Sequence, residues 1–306
     1  DSGHMRKYEN IDRFPIGTAS EKLTKGCIVL EGGAFRGTYT EGVLDALMLS
    51  DINLECVLGV SAGAMNGLNY VSGQIGRTIR LTLKYRHDSR YMGLKAIRRE
   101  KGLFGFGFMF GELMDIEFFD KERLKNSPMR FLTSATNCET GRSEFFEKNG
   151  VVDIFEAVKA SASLPLVSRP VKLNGVDYFD GGCSKKVPYE WAFENGYDKV
   201  VVVRTRHADY RKESNSHGTN KIIRRKYKKY PRLIEALENT NRVYNEDCDE
   251  MQRLHDEGKI FMIAPSEPLD VGRFEGNPEV IARLYDLGFN DTMKNIENLK
   301  KYLEVK

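Results

Sequence analysis

The chain has 306 residues, 41% of them hydrophobic, which is enough to bury the core of one large domain. Its 47 basic and 44 acidic residues leave a net charge of only +3, so the charge balance does not indicate nucleic-acid binding. Five cysteines lie scattered without the spacing of a disulfide framework or a zinc site, which favours a reducing compartment. No apolar run approaches the ~20 residues of a membrane-spanning helix, so we expect a soluble, cytoplasmic protein.

The N-terminal arm covers residues 1–24, and its first five residues resemble the remnant of an expression tag. A strand is predicted at residues 26–30, followed by the glycine loop EGGAFRG at residues 31–37 and by a helical pattern. The spacing of this loop is not GxGxxG, which argues against a dinucleotide site. Its backbone amides are instead candidate donors to an oxyanion, helped by the positive end of the following helix.

The second strand–turn–helix unit contains the pentapeptide GVSAG at residues 59–63. An apolar run at residues 54–60 precedes it, and a helix rich in small residues follows at 62–71. This context is typical of a sharp turn that exposes a serine, with small residues two before and two after it. Ser61 is therefore the candidate nucleophile, and it needs a base and oxyanion donors from elsewhere in the chain.

Further buried strands are predicted at residues 129–135 and 199–203. Residues 171–179 predict a hairpin with Asn174-Gly175 at its turn, and Asp180 closes this hairpin. Strands alternating with helices indicate a mostly parallel central sheet flanked by helices.

The C-terminal part predicts two helices, one beginning at Asn277-Pro278 and ending at Gly288, the other covering residues 290–304. The polar and then basic segment 209–229 is interpreted as a surface excursion, not as a domain boundary. We therefore predict one catalytic domain over residues 25–306.

The general base is the open question, because no histidine has a convincing setting. The chain has His4 in its tag-like start, and then His87, His207, His217 and His255. Of these, His207 alone follows a predicted strand as the histidine of a catalytic triad would. An aspartate is the stronger candidate for the base.

Three separated blocks together resemble the patatin-like phospholipases: the glycine loop 31–37, the pentapeptide 59–63 and the Asp-Gly-Gly sequence 180–182. Residues 160–165 and 187–188 also agree with that family. The blocks occur in the family's order, and their joint occurrence is far more specific than any one of them alone. One departure is Ala34, where the family more often has a third glycine.

The resemblance covers about residues 25–205 and implies a three-layer α/β sandwich related to the α/β-hydrolases. It also implies a Ser-Asp dyad that acts without histidine, assisted by an oxyanion loop. The residues concerned are Ser61 and Asp180 as the dyad, Gly32, Gly33 and Ala34 as oxyanion donors, and Arg36, Gly59, Gly63, Gly181 and Gly182 as supporting residues.

The activity implied is hydrolysis of a phospholipid or other acyl ester, of phospholipase A or lysophospholipase type, without calcium or any other cofactor. Transient contact with a membrane surface could involve the aromatic segment 103–110 or the basic segment 221–229. For the first we favour packing in the core, and for the second a solvated face. The alternative function is a catalytically silent lipid-binding or regulatory protein of the same fold, and acyl transfer to an acceptor other than water also stays open.

Overall fold

An eight-stranded sheet forms the middle layer of the structure, a computed structural model that describes residues 8–306. The strands are β1 (Gly17–Thr18), β2 (Thr24–Leu30), β3 (Leu54–Gly59), β4 (Gln74–Ile75), β5 (Arg130–Asn137), β6 (Ser143–Glu147), β7 (Val171–Leu173), β8 (Val176–Asp180), β9 (Val200–Val203) and β10 (Phe261–Ile263). The helices are α1 (Thr38–Leu49), α2 (Ala62–Ser72), α3 (Arg77–Tyr85), α4 (Leu94–Glu100), α5 (Phe106–Met109), α6 (Glu112–Ile116), α7 (Lys121–Asn126), α8 (Ile154–Ser161), α9 (Tyr189–Glu194), α10 (His217–Lys226), α11 (Pro231–Asp256), α12 (Pro278–Lys294) and α13 (Ile296–Leu303).

The sheet has the strand order β10-β9-β2-β3-β5-β8-β7, and β6 also pairs with β5. The run from β10 to β5 is parallel, whereas β6, β8 and β7 join antiparallel. Strands β1 and β4 form a separate two-stranded ribbon. The prediction of a mostly parallel sheet flanked by helices is therefore confirmed.

Alternate side chains of the central strands enter two different hydrophobic cores. In β2, Ile28 and Leu30 join the core under α1, α2, α8, α12 and α13, and Cys27 and Val29 join the core under α9 and α11. Both faces of the sheet are covered, which explains why these strands are continuous apolar runs. The result is the three-layer sandwich that the motifs implied.

Strand β5 brings two distant segments to the same place. Its residues pair with β3 up to Thr133, opposite Gly59, and with β8 from Ala135, opposite Asp180. Since β6 runs along the other edge of β5, β3 and β8 share one edge. The carboxyl end of β8 therefore meets the carboxyl end of β3, just before Ser61.

Helix α12 corrects the prediction for the C-terminal helices. It begins after Asn277 as predicted, but it continues through Gly288 to Lys294. A Cβ at Gly288 would lie 2.9 Å from the carbonyl carbon of Tyr39, so this glycine allows α12 to pack directly on α1 and does not end the helix. The next helix begins only at Ile296, so residues 290–294 belong to α12 and not to the second predicted helix.

Two surface segments have structure that the sequence did not predict. The segment 209–229 contains a capped helix, α10, because the Ser216 hydroxyl accepts a hydrogen bond from the amide of Thr219. The N-terminal arm packs on the body through Phe14, whose ring meets that of Tyr285 edge-on. The tag-like residues 1–5 lie outside the described part of the chain. Within residues 8–306, none of the helices combines the length and the apolar character needed to cross a bilayer.

Candidate active site

Ser61 occupies the turn between β3 and α2 with φ 57° and ψ −122°, a strained conformation for a residue with a side chain. Its backbone amide donates a hydrogen bond to the Ser161 hydroxyl at 2.9 Å. The residue is only 9% exposed and lines two cavities. Strain at a partly buried serine on a strand-to-helix turn is typical of a nucleophile elbow.

The flanking glycines allow close approach of the backbone in this turn. A Cβ at Gly59 would lie 2.6 Å from the amide nitrogen of Ala64, and one at Gly63 would lie 2.8 Å from the carbonyl carbon of Leu30. Real side chains do not tolerate such distances, so larger residues at either position would displace Ser61.

Asp180 is the last residue of β8 and is 4% exposed. Its Oδ1 accepts a hydrogen bond from the amide of Gly182 at 2.7 Å, and its own amide donates to the carbonyl of Ser163 at 2.8 Å. Gly181, which lies between Asp180 and Gly182 in the chain, packs against Ser134. Oδ2 is buried and has no hydrogen-bond partner among residues 8–306, so one carboxylate oxygen is left for a proton.

Burial raises the pKa of the Asp180 carboxyl above its ordinary value of 3.8. The Gly182 amide, the Ser61 hydroxyl and the positive charge of Lys186 oppose this rise. Ser61 is therefore near enough to influence the carboxyl, although the two side chains do not form a hydrogen bond here. Catalytic hydrogen bonds are often long before substrate binds.

Ser61 and Asp180 line one cavity of about 560 Å³, together with the glycine loop. Gly32 lies directly beside the serine, because a Cβ there would be 2.9 Å from the Ser61 Cβ. Gly33 and Ala34 have φ angles of 143° and 49°. The structure thus brings the proposed nucleophile, base and oxyanion loop together.

The amides of Gly32, Gly33 and Ala34 donate no hydrogen bond within the described residues. The next amide, that of Phe35, donates to the carbonyl of Arg273 at 3.1 Å, and the Thr205 hydroxyl donates to the carbonyl of Gly32 at 2.7 Å. The loop is held by these contacts while its three amides stay available. Free amides next to a nucleophile are what an oxyanion hole requires.

Arg36 contributes to the loop through its backbone, because its amide donates to the carbonyl of Gly33 at 3.0 Å. Its side chain is buried, lines the cavity that contains Ser61, and leaves Nε without a hydrogen-bond partner in the described structure. Burial lowers the pKa of this guanidinium to about 10, with the charge of Arg206 as a second cause.

Glu31 anchors the start of the loop, a role that no sequence motif indicated. Its carboxylate accepts hydrogen bonds from the Tyr244 hydroxyl at 2.7 Å and from the Thr205 amide at 2.8 Å. The buried guanidinium of Arg204 lies 3.8 Å away. These partners are distant in sequence and carry no local motif, so only the fold reveals them.

On the other side of Ser61 lies an open apolar pocket of about 980 Å³. The aromatic segment 103–110 forms part of its wall and contains helix α5, with Phe106 and Met109 buried. The segment is thus packed into the protein, as favoured from its sequence, but as a helix that borders the pocket. Such a pocket suits an acyl chain.

No histidine of the described residues lines the cavity shared by Ser61 and Asp180. His207 lines a neighbouring cavity and its ring meets that of Tyr210 edge-on. Within the same described residues there is no cluster of three or more metal-ligating side chains.

Two family models match the chain. The model described as patatin-like phospholipase matches residues 28–193, more than half of the chain, and confirms the resemblance drawn from the three motifs. A second model, described as a domain of unknown function, matches residues 230–304.

Two curated relatives resemble this chain over part of their length. An uncharacterised protein of Escherichia coli, YjjU, is 28% identical in an alignment of 195 residues, with 58% of this chain and 51% of the relative covered. A probable lipid hydrolase of Invertebrate iridescent virus 6, 463L, is 26% identical over 68% of this chain and 78% of its own length. The chain thus spans about half the length of YjjU.

Two solved structures also resemble this chain. VipD from Legionella pneumophila has a TM-score of 0.43 at 14% identity, with 93% of this chain and 70% of VipD covered. The type III effector protein ExoU has a TM-score of 0.39 at 13% identity, with 93% of this chain and 54% of ExoU covered.

Proposed function

Because this chain belongs to the patatin-like phospholipase family, we propose that it hydrolyses acyl esters of lipids through Ser61 and Asp180. The observation that carries the proposal is the shared cavity: a strained serine, a buried carboxylate with one free oxygen, and three free amides border the same space. Nothing in this arrangement requires an imidazole.

In the first half of the reaction, the Ser61 Oγ bonds to the ester carbonyl carbon while its proton passes to Asp180 Oδ2. The carbonyl oxygen becomes an oxyanion that accepts hydrogen bonds from the loop amides. Collapse of this intermediate breaks the bond to the alcohol, which takes the proton from Asp180 as it leaves.

In the second half, a water molecule attacks the acyl-enzyme and gives its proton to Asp180. The carboxylic acid leaves when the bond to Ser61 Oγ breaks and the serine recovers its proton. Burial supports the role of Asp180, because an aspartate with an ordinary pKa is a feeble base and desolvation makes it more basic.

We propose that the reaction needs no calcium. The cavity presents lysine and arginine side chains, and the carboxylate of Glu31 is already occupied by hydrogen bonds. Calcium prefers several free carboxylate and carbonyl oxygens. Hydrolysis should therefore persist in excess EDTA.

We also propose that residues 25–306 work as one domain, although two family models divide them. Helix α11, within the second match, contacts the site directly: the Thr240 hydroxyl donates to the carbonyl of Gly182 at 2.7 Å. The same helix contributes Tyr244, which holds Glu31.

The test is labelling by a fluorophosphonate probe followed by ester hydrolysis. Wild type and the exposed control Ser214→Ala should be labelled and active, and Ser61→Ala should be neither. Labelling that persists in Ser61→Ala would reject the assignment. A catalytically silent lipid-binding protein would instead bind lipid without serine-dependent hydrolysis, and product analysis with added alcohols would separate acyl transfer from hydrolysis.

A further inference from the structure

The cavity beside Ser61 has a strongly positive wall. Five of its lining side chains are cationic, and two are acidic, Glu31 and Asp180. The cationic residues are Arg36, Lys186, Arg206, Lys212 and Arg273.

None of these five cations forms an ion pair within the part of the chain that the structure describes. The Nε atoms of Arg36 and Arg206 are buried without any acceptor there, and Lys186 donates only to the carbonyl of Gly182 at 3.0 Å. By contrast Arg211, next to Lys212 in sequence, pairs with Asp249 at 2.8 Å. The cavity therefore concentrates cations whose hydrogen-bonding capacity is largely unused.

Keeping these five charges together is unfavourable, because only two carboxylates, Glu31 and Asp180, share the cavity with them. Burial, together with the neighbouring charges of Lys186 and Arg36, lowers the pKa of Lys212 to about 7. Burial also lowers the pKa of Lys186. A bound anion would relieve this repulsion and satisfy the free N–H groups.

The position of the cavity indicates which part of a substrate carries that anion. Ala34, Ser61 and Leu164 line both this cavity and the apolar pocket, so the two spaces meet at the nucleophile. With the ester carbonyl at Ser61 and the acyl chain in the apolar pocket, the alcohol part of the ester extends toward the cations.

We propose that the cationic cavity binds a phosphate group on the alcohol side of the substrate, so that the enzyme prefers phosphate-bearing lysolipids to neutral acyl glycerols. This inference rests on the proposed function. Phosphate suits the wall because arginine pairs bidentately with its oxygens and because a phosphate monoester carries close to two negative charges. Arg206, Lys212 and Arg273 lie outside residues 28–193, which the patatin-like model matches, so three of the five cations come from the C-terminal part of the chain.

The first experiment measures selectivity as the ratio of kcat/KM for 1-palmitoyl-glycerol 3-phosphate to that for 1-palmitoyl-glycerol. The two substrates share the ester and the acyl chain and differ only in the phosphate. Arg206→Gln, Lys212→Gln and Arg273→Gln should each lower the ratio about tenfold, as expected for one lost hydrogen bond to a charged group. The matched control is Arg225→Gln, on the exposed face of α10, which should leave the ratio unchanged. A wild-type ratio near one, or a ratio that no substitution lowers, would overturn the proposal.

The second experiment does not depend on turnover, so it separates failure of the subsite from failure of the proposed hydrolysis. Calorimetry on Ser61→Ala protein should detect binding of glycerol 3-phosphate, and adding Arg206→Gln or Arg273→Gln should weaken it about tenfold. Inorganic phosphate should bind more weakly than glycerol 3-phosphate. If inorganic phosphate bound as tightly as glycerol 3-phosphate, or more tightly, the cations would form a site for a free anion. If the double variants bound glycerol 3-phosphate as well as Ser61→Ala does, these arginines would not contact the ligand. Either result would contradict the headgroup assignment.

Discussion

The backbone amide of Ser61 donates a hydrogen bond to the hydroxyl of Ser161, which lies 100 residues further along the chain, at 2.9 Å. Two residues later, the carbonyl of Ser163 accepts a hydrogen bond from the amide of Asp180. One short segment at the end of α8 thus fixes the backbones of both the proposed nucleophile and the proposed base.

The first prediction concerns Ser161→Ala. This change leaves the buried amide of Ser61 without an acceptor. The unsatisfied amide destabilises the strained turn by about 1–3 kcal/mol. We expect kcat for ester hydrolysis to fall about tenfold or more. Ser72→Ala is the control, since it removes a buried hydroxyl that bonds only at the far end of α2. An equal loss of kcat in both variants would point to general destabilisation instead.

The second prediction concerns the pH dependence of catalysis. Asp180 must be deprotonated to accept a proton, and burial raises its pKa. We therefore expect kcat/KM to be high at neutral pH and to fall as the pH drops through that raised pKa, which lies above 3.8. Asp180→Asn should abolish the activity, and His207→Gln should not change the pH at which kcat/KM falls on the acid side. A shift of that pH in His207→Gln would instead identify an imidazole as the base.

The third prediction concerns Ala34, whose φ of 49° is unfavourable for a residue with a Cβ. Ala34→Gly should raise the free energy of unfolding by about 1 kcal/mol and retain hydrolysis, because glycine adopts this conformation without strain. Ala46→Gly, in the interior of α1, should lower it instead. Denaturant unfolding measures both, and the same sign for the two variants would contradict the strain at Ala34.

The fourth prediction concerns Glu41, which is buried in α1 at the apolar pocket and accepts a hydrogen bond from the Thr82 hydroxyl at 2.9 Å. Burial raises its pKa to about 8, while the Thr82 hydroxyl opposes the rise. The folded state therefore binds this proton more tightly than the unfolded chain, and the resulting stability is present below pH ~4.5 and lost as the pH rises through 8.

Glu41→Gln keeps the shape and removes this titration. We expect the melting temperature of wild type to fall between pH 6 and pH 9 more steeply than that of the variant, with the variant several degrees more stable at the upper end. Parallel melting profiles over this range would mean that Glu41 does not titrate there.

Features encoded by neighbouring residues were predictable from the sequence. The glycine loop, the turn at Ser61 and the hairpin before Asp180 each depend on local backbone requirements, such as positive φ at Asn174 and Gly175. The hydrophobic runs of β2, β3 and β9 likewise predicted the parallel part of the sheet.

Features that depend on distant contacts were not predictable. Gly288 has the local signature of a helix end, and only its contact with Tyr39 explains why the helix continues. Ser161 lies within residues 160–165, which agree with the family, but that agreement does not predict a role for its hydroxyl. Arg206 and Lys212 lie in the connection between β9 and α10, whereas Arg273 lies in the connection between β10 and α12. No spacing between them indicates that they share a cavity.

The shared edge of β5 has a consequence for how this fold tolerates insertions. Asp180 faces the serine because β8 pairs with β5 in one register, and a strand's side chains alternate between the two sides of the sheet. Extra residues at the exposed Asn174-Gly175 tip leave that register intact and should be accommodated. A single residue added within Val176–Asp180 would turn the Asp180 carboxylate to the opposite side of the sheet. The protein should still fold, but the Ser61 hydroxyl would have no carboxylate beside it.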